Sequence, residues 1–343
     1  MTKPTLFIVL VACLGIALYF GFSAVNTKVN SRIEANSEHL LGQRPFLADK
    51  QGDELELLFW GDAMFGRNVA KNMAKGMDPF EGIATSTAFL DADAIILNLE
   101  GPITASTTKC QNKAYSFRFE PEIASELEKQ GIFAVNLANN HTFDCLEKGR
   151  ADTRGYLEQA GVNFFGGGTM AESYVELDIS ERKVAFIGLD LTFDYKLDAS
   201  YLKLIELLNI TNDVIIVSIH WGEEYREQPT QSQRLVGIKL IDAGADAVIG
   251  HHPHVIEPLE IYKNSPIFYS LGNFIFDQIG EAQNTGLGVG ITLRDNASTT
   301  IRLHPVKIDK QRPKLIEGKD KQTICKKIRK VDDVSDEYCQ FEI

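Results

Sequence analysis

Short apolar runs, separated by amphipathic stretches, constrain this chain more than any other feature. ELELLFW (54–60), AIILN (94–98), IFAVNLA (132–138), VNFFG (162–166), Lys183–Leu189, Asp213–Ile219 and Ala245–Gly250 each read as a strand. Met64–Lys75, Pro121–Gln130, Leu146–Ala160 and Gln231–Ala243 read as helices, with Pro121 near one start and Gly131 and Gly161 at two ends. Strands alternating with helices predict a mostly parallel sheet with helical faces. From Val255 onward strands dominate (VIEPLEIY, PIFYSLG, LGVGITL, TTIRLHPV), which predicts a second sheet packed on the first. Beyond about Lys310 the chain is Lys/Asp-rich and weakly patterned, and 311–343 is expected to be a C-terminal tail.

Residues 5–25 (TLFIVLVACLGIALYFGFSAV) carry no charge. A run of about 20 apolar residues can span a bilayer core. It exceeds the apolar core of a cleaved signal peptide, about 7–15 residues, so the reading is an uncleaved signal anchor. Leu10-Val11-Ala12-Cys13 offers a rival, a lipoprotein cleavage box. With an uncleaved anchor, residues 1–4 are expected to form a short cytoplasmic tail; in either reading 26–53 is expected to be a polar stalk and 54–310 a domain outside the cytoplasm. The net charge of −12 excludes general nucleic-acid binding. It would also repel an acidic polymer unless a local cation or metal received it.

Cys13 lies in the apolar run, and Cys110, Cys145, Cys325 and Cys339 lie outside it without CxxC spacing. An even number suits an oxidising compartment. Cys325 and Cys339 enclose a short charged segment and are expected to bond to each other. Cys110 and Cys145 follow two of the motifs below and form a second candidate pair. Free thiols are the alternative for both.

Five of the seven histidines fall just after apolar runs: His141, His220, and the group His251, His252, His254. Asp62, Glu100, Asn139 and Asn140 take the same kind of position. In open α/β sheets, ligands sit at the carboxyl ends of strands, so these residues are predicted to share one rim. Imidazole and carboxylate together suit a divalent transition metal such as Mn, Zn or Fe, as one or two ions. Two such ions suit phosphoester hydrolysis by activating water and neutralising developing charge. A free imidazole beside them can protonate the leaving oxygen. Pro253 and Gly250 favour His251–His254 as ligands, through a fixed backbone and close approach.

GDAMFGR (Gly61–Arg67), NLEGPIT (Asn98–Thr104), NLANNHTFD (Asn136–Asp144), SIHWGEEY (Ser218–Tyr225), IGHHPHVIEPLE (Ile249–Glu260) and YSLGNFIFDQ (Tyr269–Gln278) resemble, in order, the motifs of the CapA-type capsule-synthesis family. That family, linked with poly-γ-glutamate, is similar in turn to calcineurin-like metallophosphoesterases. The resemblance implies a four-layer αββα sandwich. It implies Asp62, Glu100, Asn140, His220, His252 and His254 as metal ligands, with His141 as general acid. His251 could shift the register of the last pair by one. Arg67, Asn98, Asn139, Asp144, Glu223, Glu224, His251, Asn273 and Asp277 are expected to support the ligands or touch substrate. Two positions depart from the phosphatase pattern: Met64 replaces a histidine, and Glu100 replaces an aspartate.

The resulting expectation is a membrane-anchored, metal-dependent hydrolase-like protein. It would act in making or exporting an anionic surface polymer such as poly-γ-glutamate, with membrane synthase or export subunits as partners. A non-catalytic, polymer-binding subunit is the alternative. A phosphoesterase merely tethered to the membrane is a third reading.

Overall fold

The first strand has apolar side chains on both faces, and the fold buries both. In the computed structural model, which describes residues 54–343 apart from 107–109, 111–113, 195, 295–297 and 331–338, β1 spans Glu54–Ala63. It is followed by α1 (Arg67–Met73), α2 (Thr87–Asp91), β2 (Ala94–Leu99), α3 (Glu122–Lys129), β3 (Ala134–Asn136), α4 (Leu146–Ala160) and β4 (Asn163–Phe165). The middle of the chain runs through β5 (Tyr174–Ile179), β6 (Arg182–Asp190), α5 (Ala199–Leu208), β7 (Val214–His220), α6 (Gln231–Asp242), β8 (Ala247–His251), β9 (Leu259–Tyr262) and β10 (Ser265–Phe268). The last part holds β11 (Asn273–Ile275), β12 (Thr285–Arg294), β13 (Thr299–Asp309), β14 (Arg312–Leu315), α7 (Gly318–Arg329) and β15 (Gln340–Glu342). The apolar run 5–25 and the stalk lie outside the described residues. Among the described residues no helix is long and apolar enough to cross a membrane.

Two sheets result. One has the order β14-β13-β12-β1-β2-β3-β4, with β11 also beside β1 and β15 beside β13. The other has the order β5-β6-β7-β8-β10-β9. Side chains alternate across each strand, so each sheet offers two faces. Leu58, Trp60, Ile95 and Leu97 pack on Val69, Ile123, Leu127 and Leu157 of the helical layer. Leu55, Leu57, Phe59 and Ile96 point the other way, onto Phe186, Ile216 and Ile249 of the second sheet. The far face of that sheet, with Ile187, Ile215 and Val217, packs on Ile205 of α5 and Val236 and Leu240 of α6. The protein is therefore a mixed α/β sandwich of helix, sheet, sheet and helix. Phe165 of β4 and Phe186 of β6 stack across the seam, ring centres 5.6 Å apart.

The division of strands between sheets corrects the sequence reading. The late strands do not form the second sheet. β12 pairs antiparallel with β1, and β13, β14 and β15 extend that first sheet. The second sheet comes from residues 174–268, and only β9 and β10 of it belong to the late stretch. Alternation identifies a strand but carries no information about its neighbour, which long-range pairing decides. Met64–Lys75 is not one helix: β1 runs on to Ala63, and α1 begins only at Arg67. The segment after residue 310, expected as a tail, carries β14, α7 and β15. Cys325 and Ile328 of α7 join the apolar layer between the sheets. Cys325 is bonded to Cys339, just before β15, and Cys110 to Cys145, just before α4.

Candidate metal centre

Register lines up the chemistry within each sheet. Asp62 of β1 stands opposite Asn98 of β2 on one side and Asn273 of β11 on the other, and Asn98 opposite Asn136 of β3. In the second sheet His220 of β7 stands opposite His251 of β8. Two glycines permit the close approach this needs. A Cβ on Gly61 would lie 1.9 Å from the carbonyl oxygen of Gly272, and one on Gly250 would lie 2.0 Å from that of Tyr269. Each therefore immediately precedes a residue of the centre, Asp62 or His251.

The two rows meet at the rim. Asp62 is fully buried. Its Oδ1 accepts from Asn98 Nδ2 at 2.9 Å and lies 3.4 Å from His251 Nδ1. Its Oδ2 accepts from the backbone N–H of His252 at 3.3 Å and lies 3.2 Å from His254 Nδ1. The other ring nitrogen of His254 is 3.6 Å from Glu100 Oε1, which is also 3.7 Å from His141 Nε2. His220 Nε2 lies 3.1 Å from Asn140 Oδ1, and its Nδ1 lies 3.4 Å from Asn98 Nδ2. Asp62, Glu100 and His220 each offer a ligand atom within 4.8 Å of the others, and all three are buried. His252 and His254 hold positive φ of 96° and 57°. Backbone in that region is strained for residues other than glycine, and such strain gathers at functional sites.

Charge at the centre is unbalanced. Among the described residues neither oxygen of Glu100 has a hydrogen-bond partner, although the side chain is fully buried. Burial pushes its carboxyl well above the usual range, opposed by His254 and reinforced by Asp62, Glu224 and Asp144. Burial would also raise Asp62, but His251 and His254 outweigh it and hold Asp62 well below the carboxylate range. Burial lowers His254 too, yet Glu100 and Asp62 drive it up to about 9. Burial and the neighbouring imidazoles push His220 well below the usual histidine range and bring His252 down to about 4. Without an ion, a proton on His254 offsets Asp62, and an ion bound there would take that proton's place; His220 and His252 stay neutral, the form that binds metal. A buried carboxylate without a hydrogen bond, beside a second acid and neutral imidazoles, is a donor set that fits a divalent transition ion.

Around this set the expected supporting residues divide. Asn98 Oδ1 accepts from Asn139 Nδ2 at 3.2 Å, and Asn139 Oδ1 accepts from the His141 N–H at 3.1 Å. One amide relay therefore joins Asp62 to the loop that carries His141. His141 Nδ1 lies 2.7 Å from Asp144 Oδ2, which also accepts from the N–H of Phe117 at 2.6 Å. Asn273 Oδ1 is 3.0 Å from His254 Nδ1. Asp277 pairs with Arg67 at 2.8 Å. Glu224 is near enough to act on Glu100 and His254. Glu223 is not part of the cluster: it is exposed and bonds Arg226 at 3.0 Å. Sequence reading missed Phe117, whose ring stacks on His141 at 4.0 Å, and Asn136, which donates to Asn98 Oδ1 at 3.4 Å. Asn136 was detectable as an amide inside an apolar run, whereas Phe117 left no local signal.

Residues 56–278 match the bacterial capsule synthesis protein family PGA_cap. The chain belongs to that family. The matched span begins in β1 and ends at Gln278, so it contains every residue of the centre described above. Among PGA_cap relatives, the chain is 31% identical over 292 residues to the PGA biosynthesis protein CapA of Bacillus subtilis (strain 168), covering 79% of this chain and 76% of that one. It is 28% identical over 305 residues to the capsule biosynthesis protein CapA of Bacillus anthracis, covering 82% and 74%. Among solved structures it is similar to a hypothetical protein from Thermus thermophilus, with TM-score 0.44, 17% identity and coverage of 76% and 96%. It is also similar to purple acid phosphatase PPD1 from yellow lupin, with TM-score 0.38, 11% identity and coverage of 74% and 52%. Neither structural likeness bears on the residues of the centre.

Proposed function

We propose that this PGA_cap protein acts at the outer face of a membrane, in the synthesis or export of an anionic polymer of the poly-γ-glutamate type, through a metal-dependent hydrolase-like site. The observation that carries this reading is Glu100, buried without a hydrogen bond beside Asp62 and His220. Asp62, Glu100, Asn140, His220, His252 and His254 would hold one or two ions of Mn, Zn or Fe. When bound, such an ion supplies charge neutralisation and an activated water. The chain's own residues do the rest. Asp144 orients His141 through Nδ1, and Nε2 of His141 faces the cluster, where it can deliver a proton to a leaving group. Phe117 covers one face of that imidazole and excludes water from it. The apolar run 5–25 would anchor the domain outside the cytoplasm.

A non-catalytic polymer-binding subunit is favoured by one feature. Met64 stands where the phosphatase pattern has a histidine, and its thioether is buried and accepts the N–H of Gly66 at 3.0 Å. Two measurements on the full chain in detergent separate the readings. Plasma mass spectrometry should find one or two transition ions per chain. Turnover of a phosphoester or a γ-glutamyl amide, lost on metal removal, makes the protein an enzyme. Metal without turnover makes it a binding subunit. No metal after incubation with Mn, Zn and Fe overturns both forms of the site.

A further inference from the structure

A guanidinium stands at the edge of this acidic centre. Arg67 follows β1 by four residues, in the turn that begins α1, with a positive φ of 53°. Its Nη2 lies 2.8 Å from Asp277 Oδ1. The Asp277 side chain is fully buried, whereas that of Arg67 is 37% exposed. The second oxygen of Asp277 accepts the N–H of Asn68 at 3.1 Å, so the anchor is itself anchored. The guanidinium carbon lies 5.6 Å from the ring centre of Phe117 and 5.9 Å from that of Tyr115. Phe117 in turn stacks on His141. One aromatic ring therefore stands between the guanidinium and the imidazole of the centre.

A buried carboxylate and two aromatic rings hold an arginine in place at little further entropic cost. The buried anchor leaves more than a third of the Arg67 side chain in solvent, so the held guanidinium can still take a second partner. Acids crowd the centre itself: Asp62, Glu224 and Asp144 all act on Glu100. An anionic ligand meets repulsion there unless a cation receives each of its charges.

We infer that Arg67 is a specificity-determining contact, which binds a carboxylate of an acidic chain next to the unit held at the metal centre. This rests on the proposed function and names the feature of the ligand that the site reads. The ligand carries one charge for the metal and another about one ring's breadth away, as a polymer with a carboxylate on every unit does. A single small anion meets only the first contact. Arg67 thus selects for chain over monomer.

The test uses the full chain in detergent, loaded with Mn²⁺, and two probes: a synthetic γ-linked glutamate pentamer and inorganic phosphate. Arg67→Met should weaken the pentamer about tenfold or more, the loss of a charge-assisted contact, and leave phosphate and Mn²⁺ affinity within twofold. Arg67→Lys should recover part of the loss, because it keeps the charge without the fork. Since Arg67→Met leaves Asp277 buried and unpaired, Arg67→Met/Asp277→Asn is measured beside it, and Mn²⁺-dependent thermal stabilisation reports that each variant is folded. Unchanged pentamer binding in the folded variants, or an equal loss for phosphate and pentamer, overturns the inference while the metal site stands. A wild-type chain that binds Mn²⁺ but no pentamer also overturns it. Absence of Mn²⁺ binding in the wild type sinks the underlying site as well.

Discussion

The two sheets contribute different chemistry to one rim. The first brings oxygen and amide donors, Asp62, Asn98, Glu100, Asn140 and Asn273, with His141 the exception. The second brings the imidazoles His220, His251, His252 and His254. Alone, the first set would crowd two acids, and the second would crowd four histidines. Packed together, each offsets the other: Glu100 and Asp62 drive His254 up, and His251 and His254 hold Asp62 down. The centre is thus a property of the seam and belongs to neither sheet.

The largest expected effect comes from removing one contributor from each side. Asp62→Ala and His220→Ala should each abolish stoichiometric metal, read by plasma mass spectrometry on the folded protein. If either variant keeps full metal content, that sheet contributes only scaffolding.

Next comes an attack on the seam away from the rim. Phe186→Ala removes the ring that stacks on Phe165 across the two sheets. Emptying a fully buried aromatic site costs about 3–5 kcal/mol. Denaturant unfolding should show that loss, with metal affinity falling less than for His220→Ala. A larger fall in metal affinity would mean that seam packing, and not the ligands alone, limits the site.

The smallest effect contrasts imidazoles at the rim with one outside it. His304 of β13 is half-buried, its Nε2 is shielded and lacks a hydrogen bond among the described residues, and desolvation with Lys321 and Arg302 pushes its pKa down to about 4. In the unfolded chain a histidine titrates near 6.5. Above that both states are neutral and His304 contributes nothing. As pH falls from about 6.5 to 4 the unfolded state gains the proton first, so stability declines, by at most on the order of 3 kcal/mol. His304→Gln should flatten that part of the metal-free stability profile. An unchanged slope would assign the loss to His220 and His252, which are lowered in the same direction.

Much of this arrangement was legible in the sequence, because strand ends are local features. Apolar runs that stop at Asp62, His220 and His251 place those residues at the rim without knowledge of the pairing. Resemblance then added the ligand roles. Glu223 and Glu224 show the limit: both follow His220 and both are exposed, yet Glu224 acts on Glu100 and His254 while Glu223 bonds Arg226. The segment after residue 310 shows another, since α7 and β15 take their places from the sheets they cover.

Local pattern alone was enough for most strands before residue 310 and for the polar residues at their ends, since side-chain period and strand breaks act over a few residues. That β12–β15 extend the sheet of β1 while the chain's middle builds the facing sheet follows from long-range packing. The same packing left Glu100 without a hydrogen bond and put Arg67 over Asp277. Those outcomes depend on distances between segments far apart in the chain, such as Glu54 and Arg294, which close packing of two twisted sheets sets and no local pattern encodes.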